Sequence, residues 1–272
     1  MRTRWMLAGA MAAGVWLAGA SAYAQKSDAD WLAQCKEQRG SQFRHCEVRP
    51  VTLAGGGLLH VDARPNGGVQ VTGWDQGTIA GSARIQVQAD GEAEARGIAG
   101  SIVIGASSGT LRADGPRTGD GQSWSVSFVL SAPRRGDVQI DALNGPVAIS
   151  GISGQIQATT VNGPMSLKEL GGDVRARTSN GPLDIVLSGS SWDGGGLDAE
   201  TSNGPVKLAV PDGYSAQLEA GTVNGPFRLG IPVTIQGEIP VGRHRLINAP
   251  IGAGGPRIRA VTTNGPVSIE KR

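Results

Sequence analysis

Aromatic residues make up only 4% of the 272-residue chain, and it holds two cysteines and three histidines. So few ligands exclude a haem, iron–sulfur or multi-cysteine zinc protein, and no cofactor is expected. His45, His60 and His244 are scattered, with no i, i+4 pair and no His-Cys cluster, so no metal site is expected either. The chain lacks a Gly-x-Ser-x-Gly elbow, a Walker loop and a strand-to-helix Gly-x-Gly-x-x-Gly, which removes the commonest hydrolase and nucleotide sites. Calcium nonapeptide repeats are missing too; Asp193-Gly194-Gly195-Gly196 is a single partial copy. Charge of one sign is equally scarce. The formal net charge is +2, and it vanishes if Arg2 and Arg4 are removed. A neutral chain poor in aromatics has neither the electrostatic nor the stacking term for nucleic acid, and Arg243-His244-Arg245 reads as a solvated loop.

Only one long apolar run is present, and it lies at the start. Arg2 and Arg4 precede the run Trp5 to Ala20, which ends in Ala22-Tyr23-Ala24, the pattern of a secretory signal peptide over residues 1-24. No later stretch approaches the ~20 apolar residues of a membrane span, so none is expected in the mature chain. That chain should begin at Gln25 and be periplasmic or secreted. In an oxidising compartment two cysteines normally pair, and the ten residues between Cys35 and Cys46 do not match the Cys-x-x-Cys spacing of a redox site. A disulfide is therefore expected, stapling a short helix over Ser27 to Glu37 to a strand starting near Cys46. Residues 25-49 form this N-terminal segment.

Glycine is abundant, with 43 residues, roughly twice the usual ~7%. That excludes a helix-rich fold. The organising signal is a repeat: Asn-Gly-Pro recurs at Asn144, Asn162, Asn180, Asn203, Asn224 and Asn264, and the last and widest gap has room for two coils. Two, four and six residues before each Asn, and three and five after it, the residues are small or apolar. Each unit thus reads as two short strands of period two. Such a unit cannot bury its own apolar face and must stack on its copies. The expected fold is all-β, a parallel β-solenoid (β-helix) of about 20-residue coils over residues 136-272. The Asn side chains should form an inward polar column satisfied by its own stack, a structural corner rather than a binding site. Residues 50-135 read as an irregular β-rich cap with strands but no strict corner, in which Asn66-Gly67-Gly68 is a diverged repeat.

Outward positions carry charges that match across coils. Arg175 should face Asp198 and Arg177 should face Glu200, with Asp184 beside Lys207. A paired-carboxylate site at Asp198 and Glu200 fits the ~7 Å between alternate strand positions, but the arginines account for both acids. Between Asn180 and Asn203 the spacing grows, so Ser188 to Gly196 should leave the coil as a loop. Trp192, one of four tryptophans outside the leader, and Asp193 on that loop are the candidate binding residues; the alternative is that Trp192 folds back over the coil flank.

The run Val69-Gln70-Val71-Thr72-Gly73-Trp74-Asp75, the strand Val126 to Leu130 with Pro133-Arg134, and the Asn-Gly repeats behind them resemble the bacterial putative adhesin family of unknown function. The resemblance implies an exported, repetitive parallel β-fold of the cell envelope without an established enzymatic activity, and the Cys35 and Cys46 segment resembles the cysteine pair of some members. The function expected is a non-catalytic envelope protein whose rigid surface meets a protein, a glycan or another copy of itself. The alternative is a β-helix polysaccharide lyase or hydrolase, whose mark would be unpaired acids clustered on one face.

Overall fold

The computed structural model describes residues 27–37, 42–107, 110–233 and 245–272. Residues 1–24, the expected signal peptide, the expected cleavage point at Gln25, and both Arg243 and His244 lie outside the described residues. Helix α1 (Asp28–Glu37) begins at a cap: the Asp30 N–H donates to Ser27 Oγ (3.1 Å) and the Ser27 hydroxyl donates to the Asp30 carboxylate (2.7 Å). The Cys35–Cys46 disulfide ties it to strand β1 (Phe43–Ala54). Strands β2 (Leu59–Asp62), β3 (Val69–Trp74) and β4 (Thr78–Ala89) follow. Helix α2 (Glu92–Ser101) then interrupts them. Only Ala95 and Ala99 of α2 are buried, too weak an apolar stripe to announce a helix in sequence. Strands β5 (Val103–Ser107), β6 (Thr110–Asp114) and β7 (Ser123–Pro133) complete this part.

The Asn-Gly-Pro region supplies pairs that alternate between two sheets. They are β8 (Val138–Asn144) with β9 (Val147–Ser150), β10 (Ser153–Asn162) with β11 (Met165–Lys168), β12 (Gly171–Asn180) with β13 (Leu183–Val186), β14 (Gly196–Asn203) with β15 (Val206–Val210), and β16 (Ala216–Asn224) with β17 (Phe227–Leu229). Strands β18 (Arg245–Ile251), β19 (Arg257–Asn264) and β20 (Val267–Lys271) end the chain. One ten-stranded sheet has the order β1-β4-β7-β3-β9-β11-β13-β15-β20-β17, and the other β18-β16-β19-β14-β12-β10-β8-β2-β6-β5.

Equivalent repeat positions are in register: Ile156 lies beside Val174, Ala158 beside Ala176, Thr160 beside Thr178 and Asn162 beside Asn180. The apolar, alanine and threonine columns are buried, and the inward residues of both sheets belong to one apolar cluster. Each buried threonine is satisfied by a neighbouring corner, as in Thr178 Oγ1 to the Gly163 carbonyl (3.1 Å) and Thr201 Oγ1 to the Gly181 carbonyl (3.0 Å). Both sheets run on through residue 135. Leu59 and Val61 of β2 register with Val138 and Ile140, and Val69 and Val71 of β3 with Val147 and Ile149.

The sheets are mixed, whereas the repeats alone suggest parallel strands throughout. Antiparallel pairs lie at three of the sheet ends: β1, β4 and β7 in one sheet, β5 with β6 and β18 with β16 in the other. There they occupy edges that a repeat would leave open to further pairing.

Chain order and spatial order part at the C-terminus. Among the described residues, the wide gap before Asn264 does not continue as two regular coils; β18 runs antiparallel along β16 at the sheet edge. Strands β19 and β20 then enter between β14–β15 and β16–β17. The charges five residues before each Asn match this order. In space they run Arg175, Asp198, Arg259, Glu219, alternating in sign, whereas chain order would set Asp198 against Glu219.

Candidate functional site

The six Asn-Gly-Pro asparagines and Asn66 form one ladder along an outer corner. Asn162 Nδ2 donates to Asn144 Oδ1 (2.8 Å), Asn180 to Asn162 (2.9 Å), Asn203 to Asn180 (3.0 Å), Asn264 to Asn203 (2.9 Å) and Asn224 to Asn264 (2.9 Å); Asn144 in turn donates to Asn66 (3.0 Å). The side chains stack as expected, but they are exposed rather than inward. Burial falls instead to the threonines two residues earlier, whose single hydroxyl the corner carbonyls can satisfy. The corner glycines are held by close approach. A Cβ on Gly181 would fall on the carbonyl oxygen of Gly163, and Gly181 is not among the residues with positive φ.

Asp198 and Glu200 lie in register with Arg175 and Arg177, yet their main partner is a residue the repeat alignment alone does not single out. Arg259 Nη1 reaches Asp198 (2.7 Å) and Glu200 (3.1 Å), and its Nε reaches Glu219 (3.2 Å); Arg177 contacts Asp198 at 3.6 Å. Burial would lower the Arg259 pKa, but hydrogen bonds from the guanidinium to Asp198 and Glu200 outweigh it and hold the pKa above its ordinary value. The signal was available in the like charges that chain-order stacking would have juxtaposed. His60 of β2 pairs with Asp141 of β8 (2.8 Å) and His45 with Glu47 within β1 (3.2 Å), and no group of metal-binding side chains forms among the described residues. Burial raises the Glu47 pKa, and hydrogen bonds from His45 and Arg49 more than reverse this, leaving it below the usual value.

Trp192 is not an exposed anchor. It is 6% exposed, belongs to the apolar core, and donates its indole N–H to the Gly172 carbonyl (2.9 Å). Trp192 alone folds back, while the residues on either side of it stay exposed, so the candidate binding loop reduces to Asp193 and its exposed neighbours Ser190 and Ser191.

A different feature stands out on the outer face of the sheet containing β9. Gln70, Ala148, Ser166 and Asp184 follow one another across β3, β9, β11 and β13, each in register with the next. Their inward neighbours are large and buried; outward, small side chains leave a trough of about 320 Å³. Lys168 and Asp184 border one side, Pro146 and Pro164 the corner, and Trp31 of α1 the other. Trp31 is held over Arg84, whose guanidinium carbon lies 5.7 Å from the ring centroid. Asp28 fixes both, accepting from Arg84 Nε (2.8 Å) and from the Ser82 hydroxyl (2.9 Å). The disulfide supplies a second tether for α1.

No family model and no curated protein matches this chain. Among solved structures it is similar to a putative cell adhesion protein from Clostridium sporogenes, at 10% identity and TM-score 0.44 over 85% of this chain and all of that one. A putative adhesin from Bacteroides fragilis matches at 9% identity and TM-score 0.32, covering 83% of this chain and 97% of that one. A putative lipid binding protein from Parabacteroides distasonis matches at 10% identity and TM-score 0.30, covering 84% and 96%. Scores this low leave function to the chain's own residues.

The row from Gln70 to Asp184 is legible in the sequence four residues after each Asn. The Trp31 wall is not, because nothing in the repeat says where α1 docks. No helix among the described residues is long and apolar enough to cross a membrane.

Proposed function

We propose that the chain is an exported, non-catalytic β-solenoid of the cell envelope, adhesin-like, whose rigid faces meet a protein, a glycan or another copy of itself. The observation that carries this reading is the network around Arg259. The two acids that could have served a hydrolase or lyase are each bound to a guanidinium that also holds Glu219, so they set the order of the strands. The leader-like first 24 residues and the disulfide support export to the periplasm or beyond. The registered parallel strands from β8 to β15 support a solenoid whose coils extend from the diverged unit at β2 and β3. Incubation with neutral and uronate-containing polysaccharides, with and without calcium, tests the reading. Unchanged substrate is the expected result. Product that disappears with Asp198→Asn would instead establish the lyase or hydrolase.

A further inference from the structure

We infer that the trough beneath Trp31 binds a short neutral saccharide, a pyranose ring resting on Ala148 and Ser166 with its apolar face toward the indole. This rests on the display function proposed above and assigns it a site and a ligand chemistry. Three observations select the ligand. First, the volume of about 320 Å³ lies at the low end of small-molecule sites and suits a few linked rings rather than a folded domain. Second, the lining is mainly apolar with a hydrogen-bonding minority: an indole wall, proline rings and aliphatic side chains, interrupted by the amide of Gln70, the hydroxyl of Ser166 and the charged ends of Lys168 and Asp184. A sugar ring has the matching division, with C–H bonds on its face and hydroxyls on its rim. An acyl chain in the same place would strip water from those polar groups and return no hydrogen bond. Third, β3, β9, β11 and β13 are each paired on both sides, so a peptide cannot join the floor as an added strand. The charges are balanced within the protein, Asp184 by Lys207 in register on the next strand and Arg84 by Asp28 at 2.8 Å, which favours an uncharged ligand.

The site is completed by α1, and α1 is fastened by the Cys35–Cys46 disulfide, so binding depends on oxidation. The test is titration calorimetry and tryptophan fluorescence with maltotriose, cellotriose and triacetylchitotriose, extended to an array of neutral glycans. At least one should bind the oxidised wild type. Trp31→Ala should weaken it by about tenfold or more. Ser166→Trp, an outward change that fills the trough without touching the core, should abolish binding with little change in melting temperature. The double variant Cys35→Ser/Cys46→Ser should bind more weakly than the wild type. Binding that survives Ser166→Trp, or no binding across the array, overturns the inference. So does binding of phosphatidylglycerol vesicles that is lost in both Trp31→Ala and Ser166→Trp, which would assign the trough to an acyl chain. If the wild type adheres to envelope fractions or to itself and Ser166→Trp does so equally, the saccharide site fails while the display function stands. If it adheres to nothing, both fail.

Discussion

Asn180 and Gly181 are adjacent, yet the structure gives them unequal weight. The Asn180 amide donates to Asn162 and accepts from Asn203 at an exposed corner, where water can replace either bond. Asn180→Ala should therefore cost only about 0.5–1.5 kcal/mol. Gly181→Val places atoms on the Gly163 carbonyl, which is backbone in a registered neighbouring strand and cannot rotate away. A loss of about 3 kcal/mol is expected, and urea unfolding of the two variants should rank them in this order. Trp192→Ala belongs with the core substitutions, at about 3–5 kcal/mol, read by the same melts. Tyr214, 3% exposed, has its phenol pKa pushed up to about 12 by burial. The folded state thus disfavours the phenolate. Its stability is unaffected below pH 10, the unfolded value, and declines as pH rises from there through about 12. Ultraviolet titration should show one tyrosine ionising late, with unfolding in step.

At the scale of strands, period two and the position relative to Asn identified the inward aliphatic, alanine and threonine residues, but placed inward the Asn side chains that the structure exposes. Val174, Ala176 and Thr178, or Leu183 and Ile185, are buried as their spacing indicates. The strand neighbours were harder to read, since matching columns say that two coils can stack and not which two do. Charge distinguishes the two arrangements: like signs meet in chain order and opposite signs in the observed one. Arg259 lies between Asp198 and Glu219 and is 22% exposed at its side chain, so its loss leaves three acids without their central cation. Arg259→Gln should cost about 1–3 kcal/mol, below the figure for a fully buried pair because water reaches the network. Arg175→Gln, a change at an exposed end of the same column, should stay within about 0.5 kcal/mol. Equal costs for the two would remove charge alternation as the cause of strand order. The trough's Trp31 wall was illegible for a related reason: α1 is placed by Asp28 and a disulfide, contacts outside any repeat.

For the molecule as a whole, the late entry of β19 and β20 makes the C-terminus an interior element of both sheets rather than an edge. The segment from β16 to β18 is made first and must leave a gap, or be displaced, before the last two strands can enter. Until then its only available neighbour is β14, and that pairing would set Glu219 beside Asp198. The chain end is secured on the far side as well, where Arg272 donates its backbone N–H to the Val210 carbonyl (2.9 Å) and its guanidinium to Glu169 (3.2 Å). Removing residues 257–272 should consequently do more than fray an end. Strands stacked in chain order would lose one outer coil and keep the rest protected. Here β14 and β15 each lose the neighbour on one side, and β16 to β18 lose their connection to both sheets. Hydrogen exchange on the truncated protein should show fast exchange throughout β16–β18 and new exposure along β14 and β15, with β8 to β12 still protected. Slow exchange retained in β16 would mean that it re-pairs with β14 despite the like charges. In that case strand order would be set by connectivity, and the alternation at Arg175, Asp198, Arg259 and Glu219 would be its consequence.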